Sequence, residues 1–112
     1  MSDFKNLIVW QKSMSLTKDI YLFTEKLPPG EKFGLISQIR RCAISIPSNI
    51  AEGSKRRTRK DFRQFLKIAS GSAAELETQL ILVKDIYKIE NKEIFSKLKE
   101  IQKMLESLMK KL

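Results

Sequence analysis

Apolar residues recur at alternating steps of three and four along nearly the whole chain, and no stretch alternates with period two. That spacing draws one apolar stripe along each of several helices packed lengthwise, and it leaves nothing to build a sheet. Four rows are visible. The first is Val9, Ser13, Leu16, Ile20, Phe23 and Leu27; the second is Ile36, Ile39, Ala43, Ile46 and Ile50. The third, the longest, is Phe62, Leu66, Ala69, Ala73, Leu76, Leu80, Val83 and Tyr87. The fourth is Ile94, Leu98, Ile101, Leu105, Leu108 and Leu112.

The punctuation between rows is local chemistry. Pro28-Pro29-Gly30 ends the first helix, because proline cannot extend the hydrogen-bond ladder. Asn6 and Asn91 are candidate caps for the first and fourth helices. Thr58 with Asp61 three residues on resembles a capping box for the third. Pro47 falls inside the second row, which continues to Ile50, so a kinked helix is expected rather than a stop. Gly53 suits a left-handed position past that helix. The small run Ala69-Ser70-Gly71-Ser72-Ala73-Ala74 thins the third helix and predicts a bulky neighbour there, such as Trp10 or Phe33. Helices are expected at about 7–27, 32–53, 59–89 and 92–112. Short connections favour antiparallel neighbours. The expected fold is therefore all-α, an antiparallel up-down-up-down four-helix bundle in a single domain over residues 1–112. A chain of 112 residues can bury such a core without disulfides or metal.

One seam per helix does not use up the apolar residues. Trp10, Met14, Leu35, Cys42, Ile44 and Ile68 fall outside the rows, as do Ile81, Leu82, Ile86 and Ile89. They either widen the core stripe or form a second buried face between subunits, because large exposed apolar patches are unusual on monomers. Ile81, Leu82, Ile86 and Ile89 are the candidates for that oligomer face.

Several chemistries are excluded by composition. Histidine is absent, which removes Ser-His-Asp and Cys-His nucleophilic systems and the Glu-x-x-His pairs of di-iron bundles. Cys42 is the only cysteine, so finger-type zinc sites and an internal disulfide are impossible. It is expected to be a small buried hydrophobe. The four glycines are too scattered to cradle phosphate. No catalytic residue, cofactor or metal is expected, and the protein is read as a non-enzyme. A lone thiol, no secretory segment and no long apolar run predict a soluble cytoplasmic protein that does not enter a membrane.

The carboxylates are the remaining candidates for a metal site. Glu75 and Glu77 point roughly 200° apart on a helix, so they need a partner such as Glu52 on another helix. The competing expectation is a semi-buried polar network in which Glu52, Glu75 and Glu77 pair with Arg40 and Arg41, because unpaired buried charge is expensive.

Charge is the most informative feature. The net charge is +9, and residues 55–67 hold seven basic side chains against one acidic. These are Lys55, Arg56, Arg57, Arg59, Lys60, Arg63 and Lys67. Focused charge attracts polyanions more strongly than diffuse charge. Cations in a first helical turn oppose the macrodipole at about 0.3–1 kcal/mol each, so helix stability does not account for Arg59 and Lys60. Arg59, Arg63 and Lys67 step ~6 Å at a time along one side of a helix. Arginine forks suit phosphate oxygens. The stripe is read as a phosphate-contacting nucleic-acid surface with little base preference. The alternative is a solvated helix start that aids solubility.

Several motifs in order resemble the family of four-helix-bundle proteins encoded within 23S rRNA intervening sequences. The most specific is Ser45-Ile46-Pro47-Ser48-Asn49-Ile50-Ala51-Glu52-Gly53. Val9-Trp10-Gln11-Lys12, Phe33-Gly34-Leu35 and Gln38-Ile39-Arg40-Arg41 fit as well. In the third helix Phe65-Leu66-Lys67-Ile68-Ala69-Ser70-Gly71-Ser72 and Glu75-Leu76-Glu77-Thr78-Gln79-Leu80 fit. The resemblance covers roughly residues 4–90; the last helix shares only its leucine-like periodicity. It implies a bacterial source and assembly into a ring, a pentamer. The family also includes accessory proteins of diversity-generating retroelements, which bind nucleic acid and a reverse transcriptase through a basic surface. The implied partners are RNA or another polyanion, a ribonucleoprotein or a reverse transcriptase, and further copies of the chain. No catalytic residue carries over. The competing functions are a protein-interaction scaffold that binds no nucleic acid, and a metal-dependent nuclease using Glu52, Glu75 or Glu77.

Overall fold

A computed structural model describes residues 3–112. Its helices are α1 (Ile8–Thr24), α2 (Leu35–Ser54), α3 (Arg59–Tyr87) and α4 (Lys92–Lys110), with single 3₁₀ turns at Phe4–Asn6 and Pro29–Glu31. The molecule measures 43 × 23 × 20 Å, so α3, at ~1.5 Å per residue, runs its full length. Each helix packs on its sequence neighbour, and α1 closes the ring on α4. The cross-helix contacts run in opposite directions along each pair. Thr17 meets Ala43 and Thr24 meets Arg40 between α1 and α2. Ser45 meets Ser72, and Gly53 approaches Phe65, between α2 and α3. Glu77 meets Gln102 beyond the short α3–α4 turn, and Lys12 and Asp19 of α1 reach Glu100 and Lys97 of α4. The bundle is up-down-up-down.

The four apolar rows are the core. Ile20, Ile39, Ile46, Ile50, Leu66, Val83, Leu98 and Leu105 are wholly buried. Leu27 is buried although α1 stops at Thr24. Two turn hydrogen bonds, from the amides of Lys26 and Leu27, carry the chain round and deliver Leu27 to the core. α2 likewise starts at Leu35, three residues later than expected, because the Pro29–Glu31 turn intervenes.

Capping explains some boundaries and corrects others. Thr58 accepts from the amide of Asp61 and Asn91 from that of Ile94, at 3.1 Å each, satisfying amides at the starts of α3 and α4. Asn6 does not cap α1; it lies in the preceding turn, whose cap is Asp3. Among the described residues no side chain caps the start of α1 at Leu7. α3 ends at Tyr87 rather than Ile89, where Lys88 turns left-handed with φ 59°.

Pro47 sits inside an unbroken α2 and is buried. Having no N–H, it orphans the carbonyl of Ala43 four residues earlier. The Thr17 hydroxyl of α1 lies 3.2 Å from that oxygen and 2.8 Å from Ser13 O, sharing one proton between them. Gly53 is helical, not left-handed. It is glycine because α3 passes so close: a Cβ there would lie 2.6 Å from Phe65 Cβ and 3.0 Å from Phe62 Cδ1. The small run of α3 serves the same approach, with Ala69 and Ala73 buried and the Ser45 and Ser72 hydroxyls 2.8 Å apart. Trp10 and Phe33 do not fill it. Trp10 lies edge-on to Phe4, and Phe33 is 90% exposed.

Candidate nucleic-acid interface

The α2–α3 corner brings the seven cations together. Lys55, Arg56 and Arg57 occupy the turn, and Arg59, Lys60, Arg63 and Lys67 the first turns of α3. All seven are exposed. They divide into two groups by what they touch.

Lys55 and Arg56 follow the C-terminus of α2, where positive charge is favoured by the helix dipole. Arg56 pairs with Glu52 at 2.8 Å, and its guanidinium lies 4.7 Å from the Phe65 ring centre. Lys55 Nζ sits 5.7 Å from the centre of Phe4. Both have neighbours within the fold. Arg57, Arg59, Lys60, Arg63 and Lys67 have none of these: among the described residues they make no ion pair and cover no ring. Arg59 and Lys60 also stand in the first turn of α3, against its dipole. Such a site can attract and hold phosphate. Asp61, the only acid in the segment, is exposed and makes no ion pair among the described residues.

The expected polar network does not form, because its members face different neighbours. Arg40 turns toward α1, donating to Thr24 Oγ1 at 2.8 Å and to Tyr21 O at 3.3 Å, with the Tyr21 ring beneath it. Arg41 is exposed. Glu52 holds Arg56. Glu77 turns toward α4, where Lys99 (2.6 Å) and Gln102 (3.1 Å) donate to it and hold its carboxyl below the ordinary 4.5. Glu75 lies on the α2 side, beside Cys42. The three carboxylates thus do not converge, and among the described residues no three potential ligands cluster. Cys42 is buried; desolvation first, and the Glu75 charge second, push its thiol up, which makes it unreactive.

The candidate oligomer face is divided. Ile81, Leu82 and Ile86 are exposed, but Ile89 lies beyond the end of α3 and packs against the core. Ile81 is also ~100° around the helix from Leu82. Ile68, exposed on α3, belongs with Leu82 and Ile86 by helical position. Sequence reasoning missed Glu31, which accepts from the Leu35 amide and from the Tyr87 hydroxyl and so ties the α1–α2 connection to the far end of α3. That bond holds the Glu31 carboxyl down and the Tyr87 phenol up. No local pattern announces it, since its partners are 56 residues apart. Among the described residues no helix is long and apolar enough to cross a membrane.

Fold and site together define a small four-helix bundle with a cationic corner at the junction of its two middle helices. The 23S rRNA-intervening sequence protein family matches residues 5–107, and the chain belongs to it. A solved structure of a protein of unknown function from the S23 ribosomal protein family of Bacteroides thetaiotaomicron superposes with a TM-score of 0.81. It is 31% identical, and the match covers 92% of this chain and 99% of that one. No curated protein matches the chain.

Proposed function

We propose that this protein is a non-enzymatic, self-assembling accessory factor that binds RNA or a ribonucleoprotein through the phosphate backbone. The observation that carries the proposal is the set of five exposed cations, Arg57, Arg59, Lys60, Arg63 and Lys67, with no acidic partner among the described residues. A family named for 23S rRNA intervening sequences, and a structural neighbour grouped with a ribosomal protein family, favour RNA among the polyanions. Exposed Ile68, Leu82 and Ile86 favour assembly of several copies; the family resemblance supports reading that assembly as a pentameric ring in a bacterial cytoplasm. A reverse transcriptase-containing particle is one ribonucleoprotein of suitable chemistry.

The test is fluorescence anisotropy with a structured RNA, comparing the native chain with a variant carrying Arg57→Glu, Arg59→Glu and Arg63→Glu. Losing three charge-assisted contacts should weaken binding by about a hundredfold or more. All three sites are exposed, and Arg59→Glu, in the first turn of α3, favours the dipole, so folding should hold. Unchanged affinity would overturn the proposal.

A protein-interaction scaffold is the second reading. It is favoured by Phe33, 90% exposed beside a groove lined by Tyr21, Ile36, Arg40, Arg41 and Ile44. A scaffold would show no RNA affinity even at low salt.

A further inference from the structure

We infer that the cationic corner takes double-helical nucleic acid in preference to single strands; the inference rests on the phosphate-binding reading above. Proteins that hold single strands without sequence preference combine a cationic groove with aromatic rings on which unpaired bases stack. Each stacked base contributes about 1–3 kcal/mol, so the availability of ring faces decides which form of nucleic acid a cationic surface prefers.

The rings near this corner are engaged within the fold. The basic segment contains two aromatics, Phe62 and Phe65. Phe62 is 4% exposed and belongs to the core. Phe65 is half-buried, held against Gly53 of α2, and lies beneath the Arg56 guanidinium. A third ring, Phe4, comes in from the N-terminal turn; Lys55 lies over it, and Trp10 packs against it at 69° with centres 5.3 Å apart. The freest ring, Phe33, precedes α2, whereas the cations follow it, a helix length of ~30 Å away.

What remains at the corner is charge without a stacking platform. Under those conditions counterion release decides the preference. Release per contacted phosphate is larger for a duplex, with salt slopes of about −0.9 per contact against about −0.7 for a single strand. For about five contacts at ~0.1 M salt, that difference is about tenfold in affinity. RNA and DNA duplexes present the same chemistry to such a surface: two phosphate rows at high density, read by shape and charge.

The experiment titrates the full-length protein against three fluorescent probes of equal length: an RNA duplex, a DNA duplex and an unstructured uridine-rich RNA single strand. Both duplexes should bind about tenfold tighter than the single strand at ~0.1 M salt. Preference for the RNA duplex alone would keep the inference and restrict it to A-form helices. Equal or tighter binding of the single strand would overturn it, leaving phosphate binding intact. No binding of any probe would overturn the parent reading instead. Phe4→Leu supplies a second readout that tolerates shape: single-strand affinity should not change, and a fall of tenfold or more would make Phe4 a stacking platform and refute the inference.

Discussion

The α2–α3 pair and the seams made by α4 solve the same packing problem in opposite ways. α2 and α3 approach through small residues, Gly53, Ala69 and Ala73, and cross-link by the Ser45–Ser72 hydroxyls. α4 fills its side with large aliphatics, Ile94, Leu98, Ile101 and Leu105. Two of its five lysines are paired along the seams: Lys97 with Asp19 of α1 at 2.5 Å and Lys99 with Glu77 of α3 at 2.6 Å. The corner between α2 and α3 has more positive charge in fewer residues, and most of it meets no carboxylate among the described residues. Lysine- and arginine-rich composition is thus shared by both regions, while placement separates the charges that help hold the bundle together from those left for a partner.

The packing half of this contrast predicts opposite sensitivities. In α4, removing bulk is what hurts: Leu98→Ala should lower stability by about 2–5 kcal/mol. In α2, adding bulk hurts: Gly53→Ala should lower it by about 1–3 kcal/mol, because the new Cβ meets Phe65 Cβ at 2.6 Å. Urea denaturation midpoints measure both, and a neutral Gly53→Ala would dissolve the distinction. Next in size is Thr17→Val. It leaves the Ala43 carbonyl, freed by Pro47, without the Thr17 donor, and should cost about 1–2 kcal/mol in the same assay.

The charge half predicts a smaller, pH-linked effect. Glu77 has its folded-state carboxyl held below 4.5 by Lys99 and Gln102. Its contribution is therefore present above the unfolded value and lost as pH falls through the lowered folded value. Glu77→Gln should flatten the acid limb of the stability profile below pH 4.5 and change neutral-pH stability by at most ~1 kcal/mol, since the site is partly exposed. An acid limb of unchanged slope would deny the pair that role.

The seams were legible in the sequence because burial repeats along each helix, so a row such as Leu98, Ile101 and Leu105 announces itself. What sequence missed depends on a second helix. Pro47 signals an orphaned carbonyl, but nothing near it names Thr17 as the donor. Gly53 carries the mark of a flexible end, and only the path of α3 reveals that it is a close approach. Sequence pairs Arg40 with Glu77 as two charges near the core, yet they lie on faces turned to α1 and α4. The cationic segment was visible as a local run. Its division into Lys55 and Arg56, engaged by Phe4, Glu52 and Phe65, and five cations unpaired among the described residues required the three-dimensional neighbours.

The salt dependence of RNA binding tests the central claim most directly. If about five unpaired cations contact phosphate, a log–log plot of affinity against salt should fall with a slope of about −3.5 to −4.5. It should flatten by about one for each of Arg59→Gln and Arg63→Gln. A slope near zero, or no RNA binding at ~50 mM salt, would contradict it.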